Sequence, residues 1–282
     1  MTGAFRAEWL KITRRPAIWI LAAILLGVLV LFVYLPGWWF FGHAPQGQLP
    51  AGFDVHQARA EFYPALLIPH FLSGMVSLGG AACLALGVLS LGSDFAWGSL
   101  HTITSLPPSR LAALAGRLLA LAAAIFVLNL MLWVGAAALS WLLASIDGQV
   151  LSWPPSDRLA AAIGTTWLIF AMWCGLGVFL ASAFRQPIVP IAIGLIYMLV
   201  IEGLVFNVLG SFATGVFTNV EKLLPGPNAG ALTQAFGHGY IPAGFTAPAP
   251  LVGAAEATAV VSAYTFLFCV ATAYFITRRD VT

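Results

Sequence analysis

Six long runs of apolar residues constrain this chain more than any other feature. About twenty such residues cross the hydrocarbon core of a bilayer as one helix. Only 8% of the 282 residues are charged, which is too few for a soluble domain. We therefore predict an all-α integral membrane protein with a single transmembrane domain, residues 1–282. Its six transmembrane helices are expected at residues 17–35, 65–91, 112–145, 159–183, 187–207 and 250–276.

The arginines and lysines predict how these helices are oriented. With the N-terminus in the cytoplasm, three basic residues fall on the outer side, Arg59, Arg158 and Lys222. The other nine fall on the cytoplasmic side: Arg6, Lys11, Arg14, Arg15, Arg110, Arg117, Arg185, Arg278 and Arg279. Cytoplasmic loops carry such an excess of basic residues. An even number of spans returns the chain to its starting side, so we expect a multi-pass protein of the cell membrane with both termini cytoplasmic.

The residues before the first span predict a helix that lies in the membrane surface. Phe5, Trp9 and Ile12 share one helical face, and basic residues occupy the opposite face. Such a helix lies in the headgroup plane with its apolar side toward the lipid. The alternative is a basic flank of the first span that contains a few apolar residues by chance.

A polar stretch, "SDFAWGSLHTITSLPPSR", separates the second and third spans on the predicted cytoplasmic side. Trp97, Leu100, Ile103 and Leu106 recur at every third residue, as on one side of a short helix. Pro107 disfavours helical geometry at the residue before it. The pattern fits a short amphipathic helix held between two membrane helices, and it fits an ordinary interfacial loop equally well.

Polar residues inside or beside the outer halves of the last spans are candidates for function. Glu202 and Glu256 both fall in the outer third of the hydrocarbon core, where acidic residues usually face a bundle interior or a wet cavity. One possibility is that they line an outer vestibule or gate. The alternative is that both side chains extend outward to the interface, or that one carboxyl is protonated.

Asn129 is expected to form a hydrogen bond with a neighbouring helix. Residues 208–249 are too rich in glycine and proline for one continuous helix, so short or re-entrant outer helices are expected there.

The chain lacks the patterns of membrane and nucleotide-binding enzymes. Neither of its two lysines stands in a G-x-x-x-x-G-K-[ST] loop, and no H-E-x-x-H or G-x-S-x-G pattern occurs. We expect no catalytic, cofactor-binding or metal-binding residue, and hence not an enzyme. Cys83, Cys174 and Cys269 lie in apolar runs and are expected to be buried free thiols. A net charge of +2 gives no reason to expect a nucleic-acid partner.

The order of several motifs resembles the permeases of ABC-2 type transporters. The opening Glu8–Trp9–Leu10–Lys11 looks like the elbow helix of that family, and "LLPGPNAGALTQAF" (223–236) looks like its outer segment before the last span. The stretch between the second and third spans carries the remaining matches: Asp94, Gly98, Ser99, Leu100, Pro107, Ser109 and Arg110. Together these motifs extend over nearly the whole chain.

This resemblance implies the membrane-spanning permease subunit of an ATP-driven exporter. Two such subunits, identical or different, would form the pathway. Each would rest through a cytoplasmic coupling helix on a separate ATP-binding cassette subunit, which holds ATP and Mg²⁺. The coupling residues it implies are Asp94, Trp97, Gly98, Leu100, Ile103 and Arg110. The elbow residues it implies are Glu8, Trp9 and Lys11.

Within this interpretation, Trp97, Leu100 and Ile103 would dock into the ATPase, and Asp94 and Arg110 would set the ends of the coupling helix. The cargo is expected to be small and amphipathic or hydrophobic (a drug, antibiotic, peptide or lipid-like molecule), because no large outer domain exists to capture a hydrophilic polymer. A competing hypothesis is a membrane scaffold or sensor that does not transport and docks a cytoplasmic regulatory protein through residues 93–110.

Overall fold

The computed structural model describes residues 2–43, 53–96, 110–206, 216–241, 249–250 and 252–278, and within them the chain is all-helical with no strand. A short 3₁₀ turn, Pro64–Leu66, precedes the fourth helix. The helices are α1 (Thr2–Arg14), α2 (Pro16–His43), α3 (Val55–Ala60), α4 (Leu67–Ala96), α5 (Arg110–Ile146), α6 (Ser156–Phe184), α7 (Ile188–Leu195), α8 (Val216–Glu221), α9 (Pro225–Gln234) and α10 (Ala254–Arg278).

Five helices are long and apolar enough to cross a membrane, namely α2, α4, α5, α6 and α10. They overlap the predicted spans at 17–35, 65–91, 112–145, 159–183 and 250–276, and the chain is a multi-pass membrane protein. The first of them is longer than predicted. It continues to His43, and its middle, Leu29–Tyr34, is π-helical.

The predicted span at 187–207 has a different form. Helix α7 runs directly into a π-helix, Ile196–Phe206, and the apolar helix recognised there, Ile188–Glu202, is shorter than the five others. Long π-helices are rare because they replace the favourable i→i+4 bonding pattern with i→i+5 bonds. The sixth crossing therefore stays a prediction.

Helices α4 and α6 form the centre of the bundle. Gly87 faces the backbone carbonyl of Cys174, and Gly177 faces the carbonyl of Leu84, so closely that a Cβ atom at either glycine would collide with that backbone. Small residues allow membrane helices to approach in this way, since packing rather than the hydrophobic effect holds such helices together. More than half of the most apolar stretch of each helix is buried (56% and 61%), against 22% for α2 and 11% for α10. The latter two helices are peripheral.

Helix α1 packs against α5. A Cβ atom at Gly116 would lie 2.8 Å from the Cβ of Ala4, so the two helices lie close together. Ile12 is buried in the core, and Phe5 and Trp9 pack against it. The predicted apolar face of α1 thus exists, but it contacts the protein rather than facing away from it.

The segment before α10 folds into the short helices α8 and α9, in place of one continuous helix. Pro225 occupies the first turn of α9, a position where its missing N–H costs nothing. Asn228 is fully buried, and its side-chain amide donates to the carbonyls of Lys222 and Leu224 (2.8 and 2.7 Å). This amide ties the turn before α9 to the helix.

Candidate functional site

A cluster of charged side chains joins α1, the end of α4 and the start of α5, and we call it the junction cluster. Its centre is Asp94, which is only 2% exposed. Lys11 Nζ donates to both carboxylate oxygens of Asp94 at 2.7 Å, and Arg117 Nη2 donates to Oδ2. Arg15 Nη2 lies 3.6 Å from Oδ1, and Arg15 Nη1 donates to Ser93 Oγ at 3.0 Å.

Glu8 completes the junction cluster from α1. Its carboxylate lies 3.1 Å from Arg117 Nη2 and 3.9 Å from Lys11 Nζ. Among the described side chains, three cations and two carboxylates leave a net charge of +1. The Arg117 side chain is 7% exposed, so it depends on these anions: a buried charge that loses its partner is strongly destabilising.

The predicted coupling and elbow residues meet in this cluster only in part. Asp94 bonds Lys11 directly, and Glu8 shares Arg117 with Asp94. Trp97, Gly98, Leu100 and Ile103 lie outside the described residues, and Arg110 begins α5 with its side chain also outside them. Asp94 itself does not start a separate helix, because α4 continues through it to Ala96.

Sequence reasoning missed Arg15, Ser93 and Arg117 as members of the cluster. Arg117 had been counted only as a basic residue near a span end. The available signal was its position about two turns from the start of an apolar helix, where a cation needs a protein partner or a path to the headgroups.

A second polar cluster lies at the opposite end of α5, around Asp147. Arg59 donates to both of its oxygens (Nε to Oδ2 at 2.9 Å, Nη2 to Oδ1 at 2.6 Å). Trp38 Nε1 and the Tyr63 hydroxyl donate to Oδ2 at 2.8 and 2.6 Å. Arg59 also lies 5.1 Å from the centre of the Trp38 ring. These contacts fasten the end of α2 and the α3 region onto the end of α5.

The electrostatics of this second cluster favour an ionised Asp147. Burial opposes its ionisation, but hydrogen bonds from Tyr63 and Trp38 and the charge of Arg59 outweigh burial and hold the pKa of Asp147 below its ordinary value. Burial and the bond to Asp147 raise the pKa of Tyr63 to about 12. The phenol therefore stays a donor at neutral pH.

Glu61 connects the same region to the segment that follows α9. Its carboxylate accepts from the backbone N–H of Tyr240 and lies 4.0 Å from His70 Nδ1. The Tyr240 hydroxyl in turn lies 2.6 Å from the backbone nitrogen of Asp54. Burial raises the pKa of Glu61 to about 7, so this carboxyl changes charge near neutral pH.

Glu202 and Glu256, the predicted vestibule residues, occupy different surroundings. Glu202 is 4% exposed, lies against Gly226 in the first turn of α9, and has Tyr197 and Tyr264 nearby. Its two oxygens are enclosed, and neither makes a hydrogen bond of good geometry with a described residue. Glu256 is exposed in the first turn of α10, where an acidic residue complements the helix dipole. The structure does not bring the two carboxyls into one site.

The other predictions for single residues concern Asn129 and the three cysteines. Asn129 Nδ2 donates to the carbonyl of Ile163 on α6 at 2.9 Å, which confirms the predicted interhelical bond. Cys83 and Cys174 are buried free thiols and Cys269 is a half-buried one. Within the described residues, no three histidine, cysteine, aspartate or glutamate side chains gather as metal ligands.

Comparison of the chain with protein-family models, with curated proteins and with solved structures finds no match. The resemblance to ABC-2 permeases therefore rests on the sequence motifs and on their order along the chain. The junction cluster is the candidate functional site, since Glu8 and Lys11 of the opening motif and Asp94 of the 93–110 stretch lie together there.

Proposed function

We propose that this chain is the membrane-spanning permease subunit of an ATP-driven exporter of the ABC-2 type. The observation that carries the proposal is the junction cluster. Asp94, at the start of the 93–110 stretch, is bonded to α1 through Lys11 and to α5 through Arg117. A partner that pushes on residues 97–109 would displace α1, α4 and α5 together, because a buried network of charged hydrogen bonds links them.

The proposed assembly contains a separate ATP-binding cassette subunit, which binds ATP and Mg²⁺, and a second permease copy. The peripheral helices α2 and α10 carry exposed apolar side chains such as Phe32 and Phe266, which would face the second copy or the lipid. The cargo would be small and amphipathic or hydrophobic, and the 93–110 stretch would be the coupling helix. The proposed layout has six spans, with both termini in the cytoplasm and α1 as the elbow helix.

The first test is to purify the tagged chain from its own host in mild detergent and identify what accompanies it. A stoichiometric P-loop ATPase that is lost from Trp97→Asp supports the proposal. Trp153→Asp is the matched control, because Trp153 is 46% exposed in the loop between α5 and α6. Recovery of a signalling protein in place of an ATPase would favour the scaffold or sensor.

The proposed coupling through the junction cluster has its own test. In proteoliposomes that contain the ATPase subunit, Asp94→Asn should leave the ATPase bound but weaken the stimulation of ATP hydrolysis by cargo. Normal transport by this variant would refute the coupling role of Asp94. Failure of every amphipathic compound tested, in both ATPase stimulation and transport, would refute the cargo class.

The sixth crossing can be tested by single-cysteine labelling in intact cells, in a background without the three native cysteines. A cysteine at Gln149 or Asn219 should react with a membrane-impermeant maleimide added outside, and one at Arg185 should not. Asn219 and Arg185 flank the 187–207 segment, so the same response at both positions would rule out a crossing between them.

Glu202 is proposed to contact cationic cargo. It is a buried carboxyl without a cationic partner among the described residues. It lies against the first turn of α9, where Pro225 and Pro227 have no backbone N–H to donate to it. Glu202→Gln should lower transport of a cationic compound relative to a neutral analogue of the same size. Glu256→Gln removes the same charge from an exposed position and should leave this ratio unchanged.

A further inference from the structure

An apolar crevice with a cavity volume of about 100 Å³ opens beside the junction cluster, between α2 and α4. Its walls are almost entirely hydrocarbon, from Ile18 and Leu21 on α2 and from Ala85 and Leu89 on α4. Leu89 is 40% exposed, so the crevice is accessible from the side of the bundle. In a membrane such an opening faces the lipid.

One end of this crevice carries a positive charge. Arg15, in the turn between α1 and α2, lines it. Ser93 and Asp94 contact one edge of the guanidinium, and the Arg15 side chain remains 32% exposed. A guanidinium has enough N–H groups to bind a further anion in addition to these two contacts. Arg14 is exposed next to it, and Arg15 supplies the excess positive charge of the junction cluster, since Lys11 and Arg117 are balanced by Asp94 and Glu8 among the described side chains.

Trp19 indicates the depth of this charged end. Its indole is 54% exposed, one turn beyond Arg15 on α2, and its Nε1 donates to the carbonyl of Thr13 at 2.8 Å. Tryptophan is enriched at the level of the lipid headgroups. Arg15 therefore lies at headgroup depth, and the crevice extends from there along α2 and α4 toward the acyl chains.

We propose that this crevice binds one anionic phospholipid. The headgroup phosphate would accept hydrogen bonds from Arg15, and an acyl chain would fill the apolar crevice between α2 and α4. Charge complementarity distinguishes this lipid from a zwitterionic one, whose ammonium group would face the same basic cluster. A bound phosphate would hold Arg15 in place beside Ser93 and Asp94, so occupancy would stabilise the junction of α1 with α4.

The experiment compares lipid retention in nanodiscs. The full chain is reconstituted with equal amounts of phosphatidylglycerol and phosphatidylcholine of identical acyl chains and extracted into mild detergent. The retained lipids are then counted by native mass spectrometry. The wild type should retain phosphatidylglycerol preferentially. Arg15→Gln should lower its retention about fivefold, as expected for one basic residue near a lipid surface. Arg6→Gln removes the same charge from an exposed position of α1 and should have no such effect.

A second variant tests the crevice without changing any charge. Ala85→Phe places a ring where the acyl chain would lie, and it should abolish the preference while the protein stays folded. In a Cys269→Ser background, reaction of the buried thiols Cys83 and Cys174 with a fluorogenic maleimide during heating reports whether each variant is folded. If Arg15→Gln does not fold, Ala85→Phe decides the question.

Three outcomes would overturn the proposal. Equal retention of the two lipids by the wild type would show that no anionic site exists. Equal losses in Arg15→Gln and Arg6→Gln would show a general surface charge. Unchanged preference in folded Ala85→Phe would show that the crevice holds no acyl chain.

Discussion

Replacement of Asp94 by asparagine should destabilise the protein by about 3 kcal/mol. The carboxylate is 2% exposed and bonded to Lys11 and Arg117, and an asparagine would present an amide to cations that need an anion. Loss of one partner from a buried ion pair costs about 3–5 kcal/mol. The lower end applies here, because Lys11 is 27% exposed and can turn toward water. The Arg117 side chain is only 7% exposed and cannot turn toward water.

A double-mutant cycle separates this interaction from a general loss of packing. Arg117→Met removes the buried cation and keeps an apolar stem, so the double variant should be less damaged than the sum of the single variants by about 2 kcal/mol. The matched cycle with Lys11→Met should give a smaller coupling energy, since Lys11 is more exposed. Exposed ion pairs couple by only about 0.2–1 kcal/mol.

The chain provides its own probe for this measurement. Unfolding in mixed micelles of rising SDS content can be followed by maleimide reaction at Cys83 and Cys174, which are 0% and 3% exposed, after replacement of Cys269 by serine. A loss below about 1 kcal/mol for Asp94→Asn, or additive effects in the Arg117 cycle, would refute the inference that the junction cluster is a coupled buried network.

Gly87→Ala and Gly177→Ala should each lower the free energy of unfolding by about 1–3 kcal/mol. Gly164→Ala, with open space at its Cβ, should raise it by up to about 1 kcal/mol. Equal effects in all three variants would contradict the α4–α6 contact. Because burial raises the pKa of Glu61 to about 7, its contribution to stability should be complete below its unfolded pKa of about 4.3. It should be lost as the pH rises through 7, by about 3 kcal/mol at most, and Glu61→Gln should flatten that profile. Asp147 has a depressed pKa, so its contribution should be present at neutral pH and lost in acid; an acid limb unchanged in Asp147→Asn would refute this.

The parts of the fold that short stretches of sequence determine were predictable. Hydropathy alone places α2, α4, α5, α6 and α10, because each span is a contiguous run whose burial in lipid does not depend on its neighbours. A polar side chain in mid-span has few partners other than another helix, and Asn129 found one in the carbonyl of Ile163.

Interactions between distant segments were not predictable from the same patterns. Asp94 and Lys11 are separated by 83 positions in the sequence and Asp94 and Arg117 by 23, and no local periodicity encodes which helices meet. Depth along a span was estimated by counting residues, but the direction in which Glu202 and Glu256 point depends on helix rotation and packing. The π-helical bonding after α7 also has no established sequence signature to read.

The glycine contacts between α4 and α6 determine which parts of the bundle can move against each other. Where backbone meets backbone, no flexible side chain lies between the helices to absorb a shift, so the pair behaves as one rigid frame. Asp94 stands at the end of this frame, and a displacement applied there is transmitted along its full length. Of the five long helices, α2 and α10 have the smallest buried share, but α10 packs extensively against α6, as in the contact of Gly175 with Phe268. We therefore expect a change of shape in this protein to move α2 about a stiff central pair.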